Sequence, residues 1–542
     1  MHKNNYSHLL LKAQKERERK NYKESVRLCQ SVLKKEPAHH QAQEILALSA
    51  LDDQDFHLAL SAALETTRLQ PLNPNGALIA SVALMTTGQN DQAILVLEDQ
   101  LTRTPDVLAL LFNMHSCYAN KGENHKAIEI ALKTVQLDPT NADAFNNLGA
   151  SLHAVNRLKD AAIAFETAVD INPNHYTARL NLANTLQDDD QRKVSEIDET
   201  VDKFGHLMTE RGRIGALHNT AFAYLRLGNL QKGWERLEHG LSPLIDTSRG
   251  RRPQRNFVNV PRWQGKPLNG KTLMVWREQG LGDELMLGSI LPELVGIDGK
   301  VILECEPRLV GLMQRSFPTF EVRPELYRSI YPYDSPYTDF DWQIPVGSLA
   351  GIYRNRIEDF DRSAAYLVPD PALKEKYGQR IDQVAGNRKK VGICWRSGMV
   401  SPTRGGSYTL LSDWEALFQS EDICVINLQY GQCEDELLEI EKTYNTSIVR
   451  WEDTSLQADL EAVAAIVSNL DVVCSVGTVV AQMGGSIGIP TLLCADKYHW
   501  TSFGTKHYPF FPDIHLIVEE SQGDMQAAAQ HATSIVRQLN KA

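Results

Sequence analysis

Small and apolar residues in the N-terminal part of the chain recur with the spacing of amphipathic helices, and the pattern itself repeats. Five prolines follow one another at intervals of 34 residues: Pro37, Pro71, Pro105, Pro139 and Pro173. Small residues keep the same phase: Ala59, Ala93, Ala127 and Ala161, and Gly88 and Gly122. Small side chains let two helices approach closely, and a proline ends the second helix because it cannot continue the backbone hydrogen bonds. The pattern predicts stacked helix pairs.

A helix pair of 34 residues is the period of the tetratricopeptide repeat. The whole pattern is visible in residues 142–175, with Leu148-Gly149, Ala161, Phe165, Ala168 and Pro173. We therefore expect a protein-binding α-solenoid over residues 1–210, because such repeats stack into a superhelix with an extended concave surface. A degenerate pair around Tyr224 and Trp234 predicts a cap over residues 211–245.

Asparagine recurs at one position of the predicted pairs, at Asn113, Asn147 and Asn181, and again at Asn219 in the degenerate pair. Same-phase residues of a solenoid line up along one wall. A column of amides can donate to and accept from an extended peptide, so these four residues are predicted to bind an acceptor polypeptide. A hydrogen bond between packed helices is the alternative. The column resembles the asparagine ladder of the O-linked N-acetylglucosamine transferase, whose repeats hold acceptor polypeptide.

The C-terminal part of the chain has a different pattern, in which short apolar runs alternate with helical stretches. Seven runs predict strands: Thr272–Trp276, Val301–Glu304, Val391–Cys394, Ile423–Asn427, Val472–Cys474, Thr491–Cys494 and His515–Val518. Runs of this kind indicate parallel sheets that are covered on both faces. We expect a linker over 246–270, a first Rossmann-like lobe over 271–375 and a second over 376–542, with a cleft between their strand ends.

Glycine-rich turns follow several of the predicted strands. In the first lobe, Gly280-Leu281-Gly282-Asp283 leads from a strand into a helix. Glycine lets a ligand approach the backbone, and a carboxylate that opens a helix lies at its positive end. Helix capping by Asp283 is the alternative interpretation.

The second lobe has three such turns. They are Trp395-Arg396-Ser397-Gly398 with Arg404 nearby, Asn427-Leu428-Gln429-Tyr430-Gly431, and Ser475-Val476-Gly477-Thr478-Val479 with Gln482 in the helix that follows. A small-residue turn at a helix N-terminus presents free backbone N–H groups and suits a diphosphate. For each turn the alternative is an ordinary connection between strand and helix.

Residues 275–293, 391–398 and 470–490 resemble the heptosyltransferase-type glycosyltransferases, which have two Rossmann-like lobes in the GT-B arrangement. The chain as a whole is similar to bacterial proteins that fuse such a domain to tetratricopeptide repeats, some of which are implicated in glycosylating flagellin. The resemblance implies that Asp283 is the general base. The chain departs from the family's pattern in the second lobe, where Gly477-Thr478-Val479 and Gln482 stand in place of Asp-Thr-Gly and a histidine. This difference leaves the identity of the donor sugar open.

Together these features predict a cytoplasmic GT-B glycosyltransferase that moves a sugar from a nucleotide-sugar donor to a serine or threonine hydroxyl of a protein acceptor, with flagellin as one candidate. Asp283 is predicted to take the acceptor proton in an inverting, metal-independent step. Donor binding is predicted at Arg396, Ser397, Arg404, Gln429, Tyr430, Gly477, Thr478, Val479 and Gln482. No cofactor or metal is expected. A glycan or lipopolysaccharide acceptor, or an inactive nucleotide-binding scaffold, are the alternatives.

Charge and composition narrow the partners further. A net charge of -12 and a pI near 5.8 argue against nucleic acid, which needs a clustered basic surface. No apolar run is long enough to cross a membrane. The eight cysteines are scattered along the chain, and several lie inside apolar strand-like runs, which is typical of reduced thiols in a core. Asp188-Asp189-Asp190 could suggest a metal site, but we interpret it as a solvated turn. The donor sugar, the base, the acceptor, the stereochemistry and the oligomeric state stay open.

Overall fold

The computed structural model describes residues 6–186, 189–245, 255–257, 259–326, 333–334, 339–397, 407–496, 499–518 and 524–539. Contacts within the chain divide it into two compact units, Met1–Arg192 and Lys193–Ala542. The division falls within helix α12 (Asp190–Phe204), which is earlier in the chain than the sequence-based boundary at residue 210.

The first unit consists of helices that pack as antiparallel pairs. They are α1 (Ser7–Glu18), α2 (Tyr22–Leu33), α3 (His40–Asp52), α4 (Phe56–Leu69), α5 (Asn75–Thr86), α6 (Asn90–Arg103), α7 (Leu108–Asn120), α8 (Asn124–Leu137), α9 (Ala142–Ala154), α10 (Leu158–Ile171) and α11 (Tyr176–Thr185). The in-phase alanines are fully buried between the helices of a pair. The predicted N-terminal helical array is therefore confirmed.

Glycines set the closest approach and the turns of this array. A Cβ on Gly149 would stand 2.6 Å from the ring of Phe165, so only glycine lets α9 and α10 pack this closely. Gly88 and Gly122 adopt φ of +76° and +73° directly after α5 and α7. Glycine reaches this left-handed region without steric cost, and it is the usual residue just past a helix end.

The second unit begins with a helical segment that packs against its sheets. After α12 come α13 (Glu210–Asn219), α14 (Ala221–Arg226) and α15 (Leu230–Glu238). Trp234 of α15 is 3% exposed, and its Nε1 donates to the carbonyl oxygen of Arg354 at 2.6 Å. Its ring packs edge-on against Trp500 and Phe503. The degenerate helix pair thus shares the core of the second unit.

The first sheet of this unit has four parallel strands in the order β4-β3-β2-β6. The strands are β2 (Thr272–Trp276), β3 (Lys300–Cys305), β4 (Glu321–Pro324) and β6 (Trp342–Pro345), and a separate short pair joins β1 (Arg255–Asn256) to β5 (Tyr333–Asp334). Helices α16 (Leu281–Gly288), α17 (Val310–Ser316) and α18 (Ala350–Tyr353) follow β2, β3 and β6. Residues of β2 and β3 are buried almost throughout, as expected for a covered parallel sheet.

The second sheet has five parallel strands in the order β11-β10-β9-β7-β8. They are β7 (Lys389–Cys394), β8 (Ile423–Asn427), β9 (Val472–Val476), β10 (Thr491–Cys494) and β11 (Ile514–Ile517). Its helices are α19 (Pro371–Ala385), α20 (Glu415–Phe418), α21 (Glu434–Tyr444), α22 (Leu460–Val467), α23 (Val479–Ile487) and α24 (Met525–Gln538). The predicted region of parallel sheets and helices is confirmed.

All eight cysteines are free and buried, two in the first unit and six in the second: Cys29 and Cys117, then Cys305, Cys394, Cys424, Cys433, Cys474 and Cys494. Burial raises the pKa of Cys29 to about 12 and that of Cys117 to about 11. Across the described ranges, the helices include none that is long and apolar enough to cross a membrane.

Candidate functional site

The turn after β9 opens helix α23. Thr478 is the N-cap of this helix, and its Oγ1 accepts from the backbone N–H of Val480 at 3.3 Å. The same oxygen lies 3.0 Å from Oγ of Ser475, so the Thr478 hydroxyl is used within the protein. Gly477 is exposed, and a Cβ on it would have no atom within 4 Å. The turn therefore has open space in front of a helix N-terminus, where backbone N–H groups can meet an anion.

A second helix N-terminus lies against this one. A Cβ on Gly282 of α16 would stand 3.7 Å from N and Cα of Val479 and 3.8 Å from Cγ of Gln482. The turn that follows β2 in the first sheet thus meets the helix that follows β9 in the second. Both helix ends carry partial positive charge, so their approach favours a negatively charged ligand at this seam.

Asp283 lies in the first turn of α16 and is half-buried. The N-cap of this helix is Gly280, so the capping position is not occupied by Asp283. Burial raises the pKa of the Tyr508 hydroxyl, and the negative charge of Asp283 raises it further. The charge of Asp283 therefore influences Tyr508, which lies after strand β10 of the second sheet. The structure brings Asp283, Val479 and Gln482 to one place.

Gln429 holds two strand ends together. It is 1% exposed, and its Oε1 accepts from the backbone N–H groups of Trp395 at 3.1 Å and Arg396 at 3.0 Å. Its Nε2 donates to the carbonyl oxygen of Tyr430 at 3.0 Å. These contacts fix the turns after β7 and β8, on which Arg396 and Tyr430 lie. Direct donor binding by Gln429 stays a prediction.

Arg396 points toward helix α21. Its guanidinium donates to the carbonyl oxygen of Gln432 at 2.7 Å and forms an ion pair with Glu436. Glu436 also accepts from Nε1 of Trp395 at 2.7 Å. Ser397 is half-buried, while Gly398 and Arg404 lie outside the described residues. The donor-binding roles of Arg396, Ser397 and Arg404 stay predictions.

An open cavity of about 980 Å³ lies beside the end of β8. Gln429 and Tyr430 line one side, and the segment that contains Arg450 and Trp451 lines another. Arg450 is held by Glu434 and by Glu441, at 2.7 and 2.8 Å. The volume is in the range of pockets that bind nucleotides and other small molecules.

A buried charge cluster lies at the ends of the first sheet's strands. Arg277 donates from Nε to Glu284 and from Nη1 to Glu325, each at 2.7 Å, and lies 3.7 Å from Glu306. Burial raises the pKa of Glu284 to about 7, while Arg277 and the backbone N–H of Glu306 act to lower it. The cluster could not be predicted from the sequence pattern, because Glu284 comes from helix α16, Glu306 from the turn after β3 and Glu325 from the turn after β4.

The asparagine column is partly a packing feature. Asn113, Asn147 and Asn181 are each the sixth residue of their helices, α7, α9 and α11. Nδ2 of Asn113 donates to Oγ of Ser81, and Nδ2 of Asn181 donates to Oδ1 of Asn146, both at 2.9 Å. Each bond uses one hydrogen of an amide that has two and an oxygen acceptor besides. Asn219 is exposed and belongs to the second unit.

In the part of the chain that the structure describes, no group of three or more histidine, cysteine or carboxylate side chains is arranged to hold a metal ion. Asp189 accepts from the backbone N–H of Arg192 at 2.8 Å at the start of α12. Asp188 lies outside the described residues.

The tetratricopeptide repeat family matches residues 10–77 and 117–184. A relative, Protein FlbA of Caulobacter vibrioides, is 28% identical over 519 residues, which cover 93% of this chain and 85% of the relative. A thermophilic tetratricopeptide-repeat protein of Thermus thermophilus is 22% identical and covers 33% of this chain and 98% of its own, with a TM-score of 0.28. A MamA fragment from Desulfovibrio magneticus is 17% identical over 31% of this chain and 97% of its own, with a TM-score of 0.29. The N-terminal helical array therefore contains tetratricopeptide repeats at residues 10–77 and 117–184.

Proposed function

We propose that the second unit is a GT-B-type glycosyltransferase, which moves a sugar from a nucleotide-sugar donor to a serine or threonine hydroxyl of a protein that the repeats bind. The observation that carries the proposal is the seam between α16 and α23. There the N-termini of two helices from two parallel sheets meet beside Asp283, as judged from the approach of Gly282 to Val479. Ligands of open α/β sheets bind outside the carboxyl ends of the strands, which is where this seam lies.

The donor is divided between two places in this proposal. Its nucleoside occupies the 980 Å³ cavity next to Tyr430, and its diphosphate lies before the N-terminus of α23. Backbone N–H groups at the Gly477-Thr478 turn neutralise the phosphate charge without a protein-held metal. This assigns Gln429 and Thr478 a supporting role, since their polar atoms hold the turns rather than face open space.

Asp283 is the general base of the transfer. It accepts the proton of the acceptor hydroxyl while that oxygen attacks the anomeric carbon of the sugar. The bond from the anomeric carbon to the phosphate oxygen breaks, and the nucleoside diphosphate leaves with the electron pair. One displacement of this kind inverts the anomeric configuration. The positive helix ends at the seam stabilise the leaving group as its charge develops.

The repeats supply the acceptor. In this proposal the repeats bind the extended acceptor polypeptide on their concave surface, and the column of Asn113, Asn147 and Asn181 faces it. The resemblance to proteins that glycosylate flagellin makes flagellin the first acceptor to test. Asn147→Ala should raise the KM for the acceptor and leave donor affinity unchanged.

A nucleotide-sugar screen on the full chain tests the proposal. A bound ligand at about 100 times its Kd stabilises a fold by roughly 2.7 kcal/mol, so the correct donor should raise the melting temperature. Labelled donor is then incubated with flagellin, and incorporation into serine or threonine is located by mass spectrometry. If no nucleotide sugar or nucleoside diphosphate stabilises the chain, the proposal is wrong.

An inactive nucleotide-binding scaffold is the second candidate. The internal hydrogen bonds of Thr478 and Gln429 favour it, because fewer side chains are then left to grip a donor. The two candidates differ in one measurement. A scaffold binds the nucleotide sugar but neither transfers nor hydrolyses it with any acceptor, including free flagellin peptides.

A further inference from the structure

Tyr508 and Gln482 form a buried pair next to the seam. Tyr508 is 2% exposed and is enclosed by aromatic neighbours, with its ring stacked on that of Phe511 at 6.5 Å and tilted against that of His499 at 6.0 Å. Its hydroxyl donates to Oε1 of Gln482 at 3.0 Å. A rigid phenol therefore holds the oxygen end of the Gln482 amide.

The nitrogen end of the Gln482 amide faces a different environment. Gln482 is only 8% exposed, yet its Nε2 makes no hydrogen bond to any residue that the structure describes, and it is not sealed off from solvent. A buried amide nitrogen normally finds an acceptor. Cγ of Gln482 lies beside Gly282, so this side chain belongs to the seam between α16 and α23. Two N–H bonds are thus available where two helix N-termini converge.

We propose that Tyr508 is a positioning residue of the transfer site, which orients Gln482 so that Nε2 donates to a phosphate oxygen of the nucleoside diphosphate. This inference rests on the proposed function and adds a residue and a ligand atom to it. The alternative amide orientation would present Oε1 to the phosphate, and an oxygen lone pair repels an anion. In the structure the Tyr508 hydroxyl donates to Oε1, which directs the oxygen of the amide away from the phosphate and leaves the NH₂ group to face it.

The ionisable groups next to Gln482 supply no positive charge for binding the phosphate. Burial lowers the pKa of His499 to about 4, so this imidazole is neutral near pH 7 and supplies no positive charge. Tyr508 keeps its proton at neutral pH, since burial and the charge of Asp283 raise its pKa. Tyr508 therefore stays able to donate its hydrogen bond to Gln482 over the physiological pH range.

The test compares ligands with and without phosphate on the full chain. ADP, GDP, UDP and CDP, their parent nucleosides and inorganic pyrophosphate are titrated calorimetrically into the wild type, Tyr508→Phe and Gln482→Met. We expect Tyr508→Phe to weaken the nucleoside diphosphate and pyrophosphate by about threefold to tenfold, the scale of one hydrogen bond. Nucleoside affinity should not change in either variant. Tyr444→Phe is the matched control, since its hydroxyl bonds Glu415 at the surface.

Each outcome has a definite meaning. A phosphate-specific loss in Tyr508→Phe supports the inference, and unchanged diphosphate affinity overturns it without touching the proposed function. An equal loss for nucleosides and diphosphates also overturns it, because it would show general damage. If Tyr508→Phe does not fold, Gln482→Met decides, and unchanged diphosphate affinity there overturns the inference. If the wild type binds none of these ligands, the proposed function fails and the inference fails with it.

Discussion

The two units of this chain bring residues together in different ways. In the repeat unit, packed helices are neighbours in sequence, as with α9 and α10, where Gly149 meets Phe165. In the second unit, Trp234 bonds the backbone of Arg354, and Gly282 approaches Val479 and Gln482, all across long stretches of chain. The packing of the first unit therefore follows from the 34-residue repeat of its sequence. The seam of the second unit forms only when both sheets are folded. The difference can be tested by substitutions that disturb one unit and spare the other.

Trp234→Ala should have the largest effect and should be confined to the second unit. Removing a buried tryptophan costs about 3–5 kcal/mol, and here its bond to Arg354 is lost as well. All eight tryptophans lie in the second unit, so their fluorescence reports its unfolding, while far-ultraviolet circular dichroism also follows the repeats. In urea unfolding, the fluorescence transition of the variant should move to a lower urea concentration than in the wild type. The part of the dichroism signal that follows the repeats should keep its midpoint. Leu227→Ala, at an exposed position of the same helix pair, is the control.

Asp283→Asn should slow sugar transfer without unfolding either unit. An amide is not a useful base near neutral pH, so transfer should fall by about 10²-fold or more, which equals about 2.7 kcal/mol. Donor affinity and melting temperature should be retained, since Asn and Asp differ little in shape. Turnover of labelled sugar is measured beside donor binding. Near-normal transfer by the folded variant would contradict the assignment of the base.

Gly149→Ala tests the local packing of the repeats. The new methyl group would stand 2.6 Å from the Phe165 ring. Overpacking costs about 1–3 kcal/mol and alanine recovers roughly 1 kcal/mol of helix propensity, so a loss of about 1 kcal/mol is expected. The loss should appear in circular dichroism and not in tryptophan fluorescence. Gly215→Ala is the matched control in α13 of the second unit, because its Cβ would meet only Ile245 at 3.9 Å and should slightly stabilise that unit.

The two units should also differ in the direction in which their stability changes with pH. Burial lowers the pKa of His115 in the repeats, so the folded state disfavours its proton and stability falls as the pH drops below the ordinary value of 6.5. Burial raises the pKa of Glu284 in the second unit to about 7, so its contribution to stability falls as the pH rises from the ordinary value of 4.5 toward 7. We expect His115→Gln and Glu284→Gln to flatten the respective slopes. Urea midpoints at several pH values, read by dichroism and fluorescence, measure both, and parallel profiles for wild type and variants would contradict the assignment.

The sequence predicts most of the fold because its strongest signals are local. The runs Thr272–Trp276, Ile423–Asn427 and Thr491–Cys494 match β2, β8 and β10 in both bounds, since each is apolar and sharply bounded. Strands β4 and β6 were not predicted; both are four residues long and end in proline. Short strands with a partly exposed pattern lack a clear hydrophobic run.

The candidate site was only partly predictable for the same reason. Asp283 and Thr478 stand in recognisable turns, so the sequence singled them out. Tyr508 lies in a stretch of aromatic residues that is typical of ordinary core, and its bond to Gln482 exists only once the loop after β10 has packed against α23. The sequence also contained no sign that Gln429 would use its amide to hold backbone. Such roles are properties of the packed sheets.

The buried cysteines give this protein a set of natural chemical labels. A thiol reacts through its thiolate, and burial keeps these thiols both enclosed and protonated. Alkylation is therefore slow until the surrounding structure opens. Modification of Cys29 or Cys117 would mark opening of the repeats, and modification of Cys394 or Cys474 would mark opening of the second sheet. Peptide mapping after a brief exposure to iodoacetamide can therefore show which unit opens first, without an introduced probe.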